Sequence, residues 1–148
     1  MKLYLDMCIY NRPFDDQSQP RIMIETQIFI ILLEMIFQGH FKLINSFALE
    51  YENIKNPDIE NMLKISDLLS CSREYIPYDE HITVRAIEFE KFGILGMDAI
   101  HIACAEKAKA DYFVTCDDNL IRKLAQIDNI GLTCYNLIDF ASMEVFET

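Results

Sequence analysis

The stretch Lys2-Leu3-Tyr4-Leu5-Asp6 is a compact apolar segment that ends abruptly at an acid. A short apolar run bounded in this way is typical of a central parallel strand that is covered on both faces. In a parallel α/β sheet, the carboxyl ends of the strands meet at one edge, where loops and helix starts build the ligand site. The stretch therefore predicts an α/β fold with Asp6 at the ligand edge of the sheet.

The same arrangement recurs late in the chain, where Tyr112-Phe113-Val114-Thr115 is followed by Cys116 and Asp117. This run is the clearest later strand, and it predicts a second acid at a strand end. Thr115 supplies a hydroxyl two residues earlier, which can orient Asp117 or bind a phosphate. Because only one of two adjacent residues normally points inward, we select Asp117 and interpret Asp118 as a solvated neighbour or a helix cap.

The rest of the chain alternates between predicted strands and helices. Further strands are expected at 41–45, 75–77 and 132–135, and helices at 18–38, 46–52, 58–69, 79–92, 96–109 and 118–123. Ser18 is expected to cap the long helix and Gly39 to end it. The length of 148 residues fits one domain spanning 1–148, with a mostly parallel sheet of about four to five strands.

Two further acids complete the candidate site. Asp98 follows Gly96 and Met97 and falls in the first turn of the helix expected at 96–109, where its simpler role is to favour the positive end of the helix dipole. Glu52 ends the short helix that begins at Ser46, and Glu50 is its rival. Small residues follow Asp98 and allow its helix to pack closely on a neighbour: Ala99, Ala103, Ala105 and Ala108.

Carboxylates brought within a few ångströms of one another repel strongly unless a cation shares the site. Oxygen ligands of this kind suit hard divalent ions, so we expect one or two Mg²⁺ or Mn²⁺ ions. His101 lies three residues after Asp98 on the same helix face, but the Glu-x-x-His repeat of paired helices is absent, so we do not assign it as a ligand. Arg12, Arg122 and Lys123 follow the first and last acids and are weaker candidates for substrate phosphates.

The amino-acid composition bears on the surface charge of the protein and on the compartment in which it works. The 13 basic and 24 acidic residues give a formal net charge of −11, which argues against a broad basic surface for nucleic acid. The five cysteines form no metal or redox spacing, and an odd number fits a reducing cytoplasm. Neither a secretory signal nor a membrane helix is recognisable, so we expect a cytoplasmic protein without a membrane partner.

Absent motifs exclude several classes of enzyme. The chain has no Gly-x-x-x-x-Gly-Lys loop, no Gly-x-Gly-x-x-Gly, no Gly-x-Ser-x-Gly and no His-Glu-x-x-His. The absence of these motifs argues against loop-type nucleotide hydrolases, dinucleotide enzymes and serine hydrolases. Asp6-Met7-Cys8 also lacks the second Asp of an aspartate-based phosphatase.

Taken in order, four blocks resemble the PIN-domain nucleases: Leu3-Tyr4-Leu5-Asp6, residues 46–52, Gly96-Met97-Asp98-Ala99-Ile100-His101-Ile102-Ala103, and Phe113-Val114-Thr115-Cys116-Asp117. The tract Asn11-Arg12-Pro13-Phe14-Asp15-Asp16-Gln17 resembles a prokaryotic subgroup of that family. The resemblance implies a three-layer sandwich in which helices flank a twisted parallel sheet. It also implies metal-dependent ribonuclease activity and, often, a role as the toxin of a type II toxin–antitoxin pair.

The resemblance places the acidic motif, as metal ligands and catalytic residues, at Asp6, Glu52, Asp98 and Asp117, with Thr115 as a supporting hydroxyl. One departure concerns the position two residues after the first acid. The family often has Asn there, whereas this chain has Cys8, so the supporting amide is missing unless Asn11 replaces it.

The expected function is hydrolysis of RNA phosphodiester bonds, with single-stranded or looped RNA as the favoured substrate. The alternative is a catalytically silent PIN-like module that binds a protein partner or RNA. The apolar helix over 22–37 carries more hydrophobic surface than one face can bury, which suggests a homodimer or a contact with an antitoxin, unless the helix is buried in the monomer core.

Overall fold

The fold is a five-stranded parallel sheet flanked by helices, seen in a computed structural model that describes residues 1–146. The strands are β1 (Lys2–Leu5), β2 (Lys42–Ser46), β3 (Glu74–Ile76), β4 (Tyr112–Thr115) and β5 (Thr133–Asn136). The α-helices of the described part are α1 (Met7–Asn11), α2 (Pro20–Phe37), α3 (Phe47–Ile54), α4 (Ile59–Leu69), α5 (Glu80–Glu90), α6 (Gly96–Lys107), α7 (Asp118–Leu124) and α8 (Leu137–Phe140), and a π-helical turn follows at Ala141–Val145. The predicted three-layer α/β fold is confirmed.

The strand order is β3-β2-β1-β4-β5, and every neighbouring pair is parallel. The chain lays down β2 and β3 on one side of β1, and then β4 and β5 on the other. The order therefore reverses between β1 and β4, and a ligand site is expected beyond the carboxyl ends of those two strands. Asp6 follows β1 and Asp117 follows β4 within two residues.

The central strand is covered on both faces, as its apolar sequence predicts. Leu3, Tyr4 and Leu5 are fully buried. In register, Leu3 pairs with Leu43 on one side and with Tyr112 on the other. The ring of Tyr4 stacks on Phe113 with centroids 5.8 Å apart.

The segment after β1 differs from the expected turn. Met7–Asn11 forms α1, and a 3-10 turn follows at Arg12–Phe14. Ser18 does not cap α2, because its hydroxyl bonds to Asp16 instead, and Gln19 takes the N-cap position before Pro20. The end of α2 is as predicted, since Gly39 has a φ of +87° in the left-handed region.

The long helix α2 leaves part of its apolar surface uncovered. Met23, Ile24 and Ile31 are each more than two-fifths exposed. Together with Ile138 and Phe146 they border an apolar hollow on one side of the molecule. No helix among residues 1–146 is long and apolar enough to cross a membrane.

Candidate metal centre

Asp6 is held at the carboxyl end of β1 by contacts to both of its carboxylate oxygens. It is 7% exposed, and its backbone N–H donates to Val114 O, which extends the pairing of β1 with β4. Its Oδ1 accepts from the N–H of Met7 at 2.8 Å, so Asp6 also caps α1. Its Oδ2 accepts from the hydroxyl of Thr115 at 2.8 Å.

Thr115 joins the ends of the two central strands. Besides donating to Asp6, its Oγ1 accepts from the backbone N–H of Asp117 at 3.2 Å. Thr115 is fully buried, so the hydroxyl is shielded from water. The hydroxyl that we expected to orient Asp117 therefore contacts both Asp6 and the backbone of Asp117.

Cys8 occupies the position where the family often has an amide. Its Sγ lies 3.4 Å from Thr115 Oγ1 and accepts from the backbone N–H of Cys116 at 3.2 Å. The thiol thus packs against the residue that holds Asp6. Asn11 lies at the end of α1, and no hydrogen bond among residues 1–146 joins its side chain to any of the four acids. Its supporting role stays a prediction.

Asp98 lies in the first turn of α6, as predicted. Gly96, the first residue of α6, has a φ of +58°, a conformation that favours glycine, and this turn leads the chain into the helix. Burial raises the pKa of Asp98 to about 6, and the negative charges of Asp6, Asp117 and Glu52 add to the rise. The three neighbouring acids thus make ionisation of Asp98 less favourable.

Asp117 caps α7, whereas Asp118 does not play the role that we expected. Asp117 Oδ1 accepts from the N–H groups of Asn119 and Leu120. Asp118 instead pairs with both terminal nitrogens of Arg21, at 2.7 and 2.9 Å, and this pairing lowers the pKa of Asp118 to about 2. Asp118 is thus neither the cap nor a free solvated residue, because Arg21 from α2 reaches it.

Glu52 and Glu50 point to different neighbours. Glu52 Oε1 lies 2.6 Å from Nε2 of His101. Glu50 is exposed, and its Oε1 accepts from the amide of Asn45 at 3.0 Å. Of the two, Glu52 is the one beside the other acids.

His101 contributes more to this region than the sequence suggested. It is fully buried, and its Nε2 lies 3.9 Å from Asp6 Oδ1 as well as beside Glu52. Its other nitrogen, Nδ1, lies 2.7 Å from the hydroxyl of Tyr4, which in turn lies 2.7 Å from Ser46 Oγ. Because a carboxylate only accepts, Nε2 carries the hydrogen toward Glu52.

The charge state of His101 reflects two opposed effects. Burial alone lowers its pKa, but the hydrogen bond to Glu52 and the charges of Asp6, Glu52 and Asp98 outweigh burial, so that the pKa lies above its ordinary value. Positive charge is therefore favoured at the point where the acids converge. The same negative charges of Asp6, Glu52 and Asp98 would attract a metal cation in place of the proton on His101.

The donor set fits a divalent ion. One ligand atom each from Asp6, Glu52 and His101 lies within 4.8 Å of the others, a spacing that a single ion can bridge. Asp98 and Asp117 are outside this group of three but add their charges around it. The carboxylates of Asp6 and Glu52 supply oxygen ligands that suit Mg²⁺ or Mn²⁺. His101 donates from Nε2 to Glu52 and would bind an ion only after losing that hydrogen.

The basic residues that we expected at substrate phosphates have other neighbours. Arg12 donates from Nε to the fully buried Glu25 at 2.9 Å and from Nη1 to Asp15 at 2.8 Å. Arg122 is exposed and hydrogen-bonds to Asn119. Lys123 is exposed near Gly93. Their contact with phosphate stays a prediction.

Sequence reasoning set His101 aside and overlooked Tyr4 and Ser46. The one signal for Tyr4 was a hydroxyl-bearing ring inside an otherwise aliphatic strand, whose polar end needs a partner when buried. The partner, His101, is 97 residues away, and only the packing of α6 on the sheet brings them together.

The chain resembles a known protein family in sequence and a solved structure in fold. The family model of the PIN domain matches residues 22–126. No curated protein matches the chain in sequence. A solved structure with the same fold is that of VapBC2 from Rickettsia felis bound to a DNA fragment from their promoter, with 20% identity and a TM-score of 0.57 over 91% of this chain and 99% of that one. The family match covers most of the chain, and the chain belongs to the PIN-domain family.

Proposed function

We propose that this protein is a metal-dependent endoribonuclease, with Asp6, Glu52, Asp98 and Asp117 as its catalytic and metal-binding acids. The observation that carries the proposal is the convergence of Asp6, Glu52 and His101 within 4.8 Å. Beside them lies Asp98, whose pKa is raised first by burial and then by the charges of the surrounding acids. Such mutual repulsion is costly in a protein unless a cation relieves it. Membership of the PIN-domain family supports the same reading.

A bound Mg²⁺ or Mn²⁺ would activate water and neutralise charge on the phosphodiester. The residues of the chain prepare that chemistry in separate ways. Thr115 and the N–H of Met7 fix the two oxygens of Asp6, so its carboxylate needs little rearrangement. His101 fixes Glu52 from the side of the core. The N–H groups of Asn119 and Leu120 hold Oδ1 of Asp117 and leave its Oδ2 for substrate or metal.

The net charge of −11 means that RNA binding depends on the metal. Water as the nucleophile does not need the 2′-hydroxyl, so a preference for RNA would come from strand shape and access. Single-stranded or looped RNA is the favoured substrate, since its bases are free to contact side chains.

We further propose that the protein acts as the toxin of a type II pair and that a small antitoxin protein restrains it. The support is its family membership and the shared fold with a chain of the VapBC2 structure. Co-expression with the product of a neighbouring small gene, followed by copurification and RNA cleavage, tests this role. Loss of cleavage in a purified complex is the expected result.

Cleavage of an RNA panel with Mg²⁺, with Mn²⁺ and with a chelator tests the enzymatic proposal. Wild type should cut in either metal and stop with the chelator, while Asp6→Asn and Asp98→Asn should be inactive. The matched control is Asp111→Asn, an acid on the opposite end of β4, before the strand begins. Cleavage that survives in both site variants would point to a contaminating nuclease, and no cleavage in any preparation would favour a silent interaction module.

A further inference from the structure

A cavity of about 400 Å³ opens beside the acids. Glu52 and Cys8 border it, and these two residues contact His101 and Thr115 on their other sides. The cavity therefore adjoins the candidate metal centre through side chains that belong to both. Its lining also includes Asn11, Arg12, Phe14, Lys55, Asn56 and Asn61.

The lining combines the two kinds of group that hold a nucleobase. Carboxamides offer both a donor and an acceptor, as the edges of bases require, and four of them line this one cavity: Asn11, Asn53, Asn56 and Asn61. Phe14 adds an aromatic ring that is 37% exposed. Proteins bind unpaired bases by stacking them on such rings and by hydrogen-bonding to their edges.

The cavity also holds two basic side chains, Arg12 and Lys55, whose charges are balanced there by Asp15 and Glu52. Arg12 is tied by Nε to Glu25 and by Nη1 to Asp15, and these contacts hold its guanidinium at the rim. Lys55 Nζ lies 4.2 Å from the centre of the Tyr51 ring. Two basic groups beside a group of acids give a backbone phosphate a place to lie, although Asp15 also lines the cavity.

One polar group in the wall has an unfilled hydrogen bond. Asn53 is 5% exposed, and its Nδ2 donates to the carbonyl of Met62 at 3.0 Å. Among residues 1–146, its Oδ1 has no partner. A buried acceptor without a donor is unfavourable, but this oxygen has almost no accessible surface, so we assign it no contact with a ligand.

We propose that this cavity binds one unpaired nucleotide of the RNA, next to the phosphate that the acids hydrolyse. The inference rests on the proposed ribonuclease function. Phe14 stacks on the base, the carboxamides read its edge, and Arg12 and Lys55 contact the adjoining phosphate. The cavity would then give the enzyme a base preference beside its cleavage site.

The test is an NMR titration of the full-length protein with AMP, GMP, CMP and UMP in turn, with Mg²⁺ present and absent. These nucleotides contain no phosphodiester bond and are not cut. The side-chain amide signals of Asn56 and Asn61 should shift and saturate, with one base favoured over the others. Phe14→Ala should weaken binding on the order of tenfold, and Lys55→Gln should weaken it less.

The matched control is Phe37→Ala, which removes an exposed phenylalanine at the end of α2 and should leave binding unchanged. Thermal melting of each variant shows that it is folded. Shifts spread over the surface, or binding that neither Phe14→Ala nor Lys55→Gln weakens, would overturn the proposal.

The two proposals fail in different ways. If the protein cuts RNA but the cavity does not bind bases, metal-dependent cleavage persists in Phe14→Ala with an unchanged base preference, and the cavity proposal is overturned. If the protein is not a nuclease, no RNA is cut. The nucleotides would still shift the side-chain amide signals of Asn56 and Asn61, which would show that the cavity binds them.

Discussion

His101 Nε2 lies 2.6 Å from Glu52 Oε1, so an imidazole from α6 fixes a carboxylate from α3 beside the end of β1. The far nitrogen of the same ring is held by Tyr4, whose hydroxyl also contacts Ser46. A buried chain of hydrogen bonds therefore runs from the core of the sheet to an acid of the candidate metal centre. It gives Glu52 a defined position although its side chain is about one-third exposed.

Tyr4→Phe tests this chain of hydrogen bonds. The variant keeps the ring that stacks on Phe113 but leaves Nδ1 of His101 without a partner, and it leaves the Ser46 hydroxyl only its bond to the N–H of Leu49. We expect the free energy of unfolding in urea to fall by about 1–3 kcal/mol. Tyr78→Phe removes a hydroxyl that bonds to Thr83 at an exposed position, and it should change stability by less than about 0.5 kcal/mol. Equal effects of the two changes would contradict the structural role of Tyr4.

Thr115→Val tests the support of Asp6. Valine keeps the shape of threonine but removes the hydroxyl that donates to Asp6 Oδ2. Mutating a residue that hydrogen-bonds to a metal ligand typically lowers metal affinity by about 10- to 100-fold. Calorimetry should therefore show that Thr115→Val weakens Mn²⁺ binding by a factor in this range. Thr133→Val, at an exposed position of β5, is the matched control. Undiminished Mn²⁺ affinity in Thr115→Val would count against this account.

The metal-free protein should lose stability as the pH rises from about 4 to above 6.5. Asp98 has a raised pKa of about 6 in the folded state, so its protonated form favours folding below that value and the benefit disappears as it ionises. His101 also has a raised pKa, and its benefit is complete below its ordinary value of 6.5 and is lost as the pH climbs through the folded value. Melting temperatures measured across this range, in chelator, check the prediction.

Two further results sharpen the pH experiment. Asp98→Asn should flatten the part of the curve between pH 4 and 6, because the group that titrates there is gone. Saturating Mn²⁺ should raise stability most at the high end of the range, where the carboxylates are ionised and available. A metal-free protein that becomes more stable between pH 4 and 7 would contradict the assignment of these shifts.

The uncovered apolar surface of α2 predicts self-association. Met23, Ile24 and Ile31 stay exposed in the single chain, and burying such a patch is favourable. We expect sedimentation velocity to show a dimer that forms as concentration increases. Ile31→Asp should return the protein to a monomer with a loss of only about 1 kcal/mol in the free energy of unfolding, because the side chain is already 43% exposed. A wild-type monomer at every concentration would be the contrary finding.

The fold and part of the site were predictable because they depend on local pattern. The apolar runs before Asp6 and Asp117 each predict a buried strand, and a parallel sheet brings the carboxyl ends of its strands together. The position of Asp98 follows from a glycine and a helix start. The positions of Asp6, Asp98 and Asp117 could therefore be predicted without knowing which residues pack together from distant parts of the chain.

The remaining contacts depend on long-range packing that a single sequence does not encode locally. Glu52 differs from Glu50 only by which side of α3 faces α6, where His101 lies. Arg21 lies 97 residues from Asp118 in sequence, so the ion pair between them could not be predicted from the residues on either side of Asp118. The Ser18 hydroxyl donates to Asp16 and does not cap α2. A short polar side chain can bond to a nearby side chain as well as to the first N–H groups of a helix, and the sequence does not show which bond forms.

Binding of Mn²⁺ tests the central claim most directly, since it does not depend on finding the right RNA. The six-line electron paramagnetic resonance signal of free Mn²⁺ decreases when the ion binds a protein, and the titration gives affinity and number of sites. The acids are predicted to bind one or two Mn²⁺ ions in wild type, with affinity at least about tenfold lower in Asp98→Asn and in Asp6→Asn. Equal Mn²⁺ binding by all three proteins, or no binding by wild type, would contradict the assignment of this site.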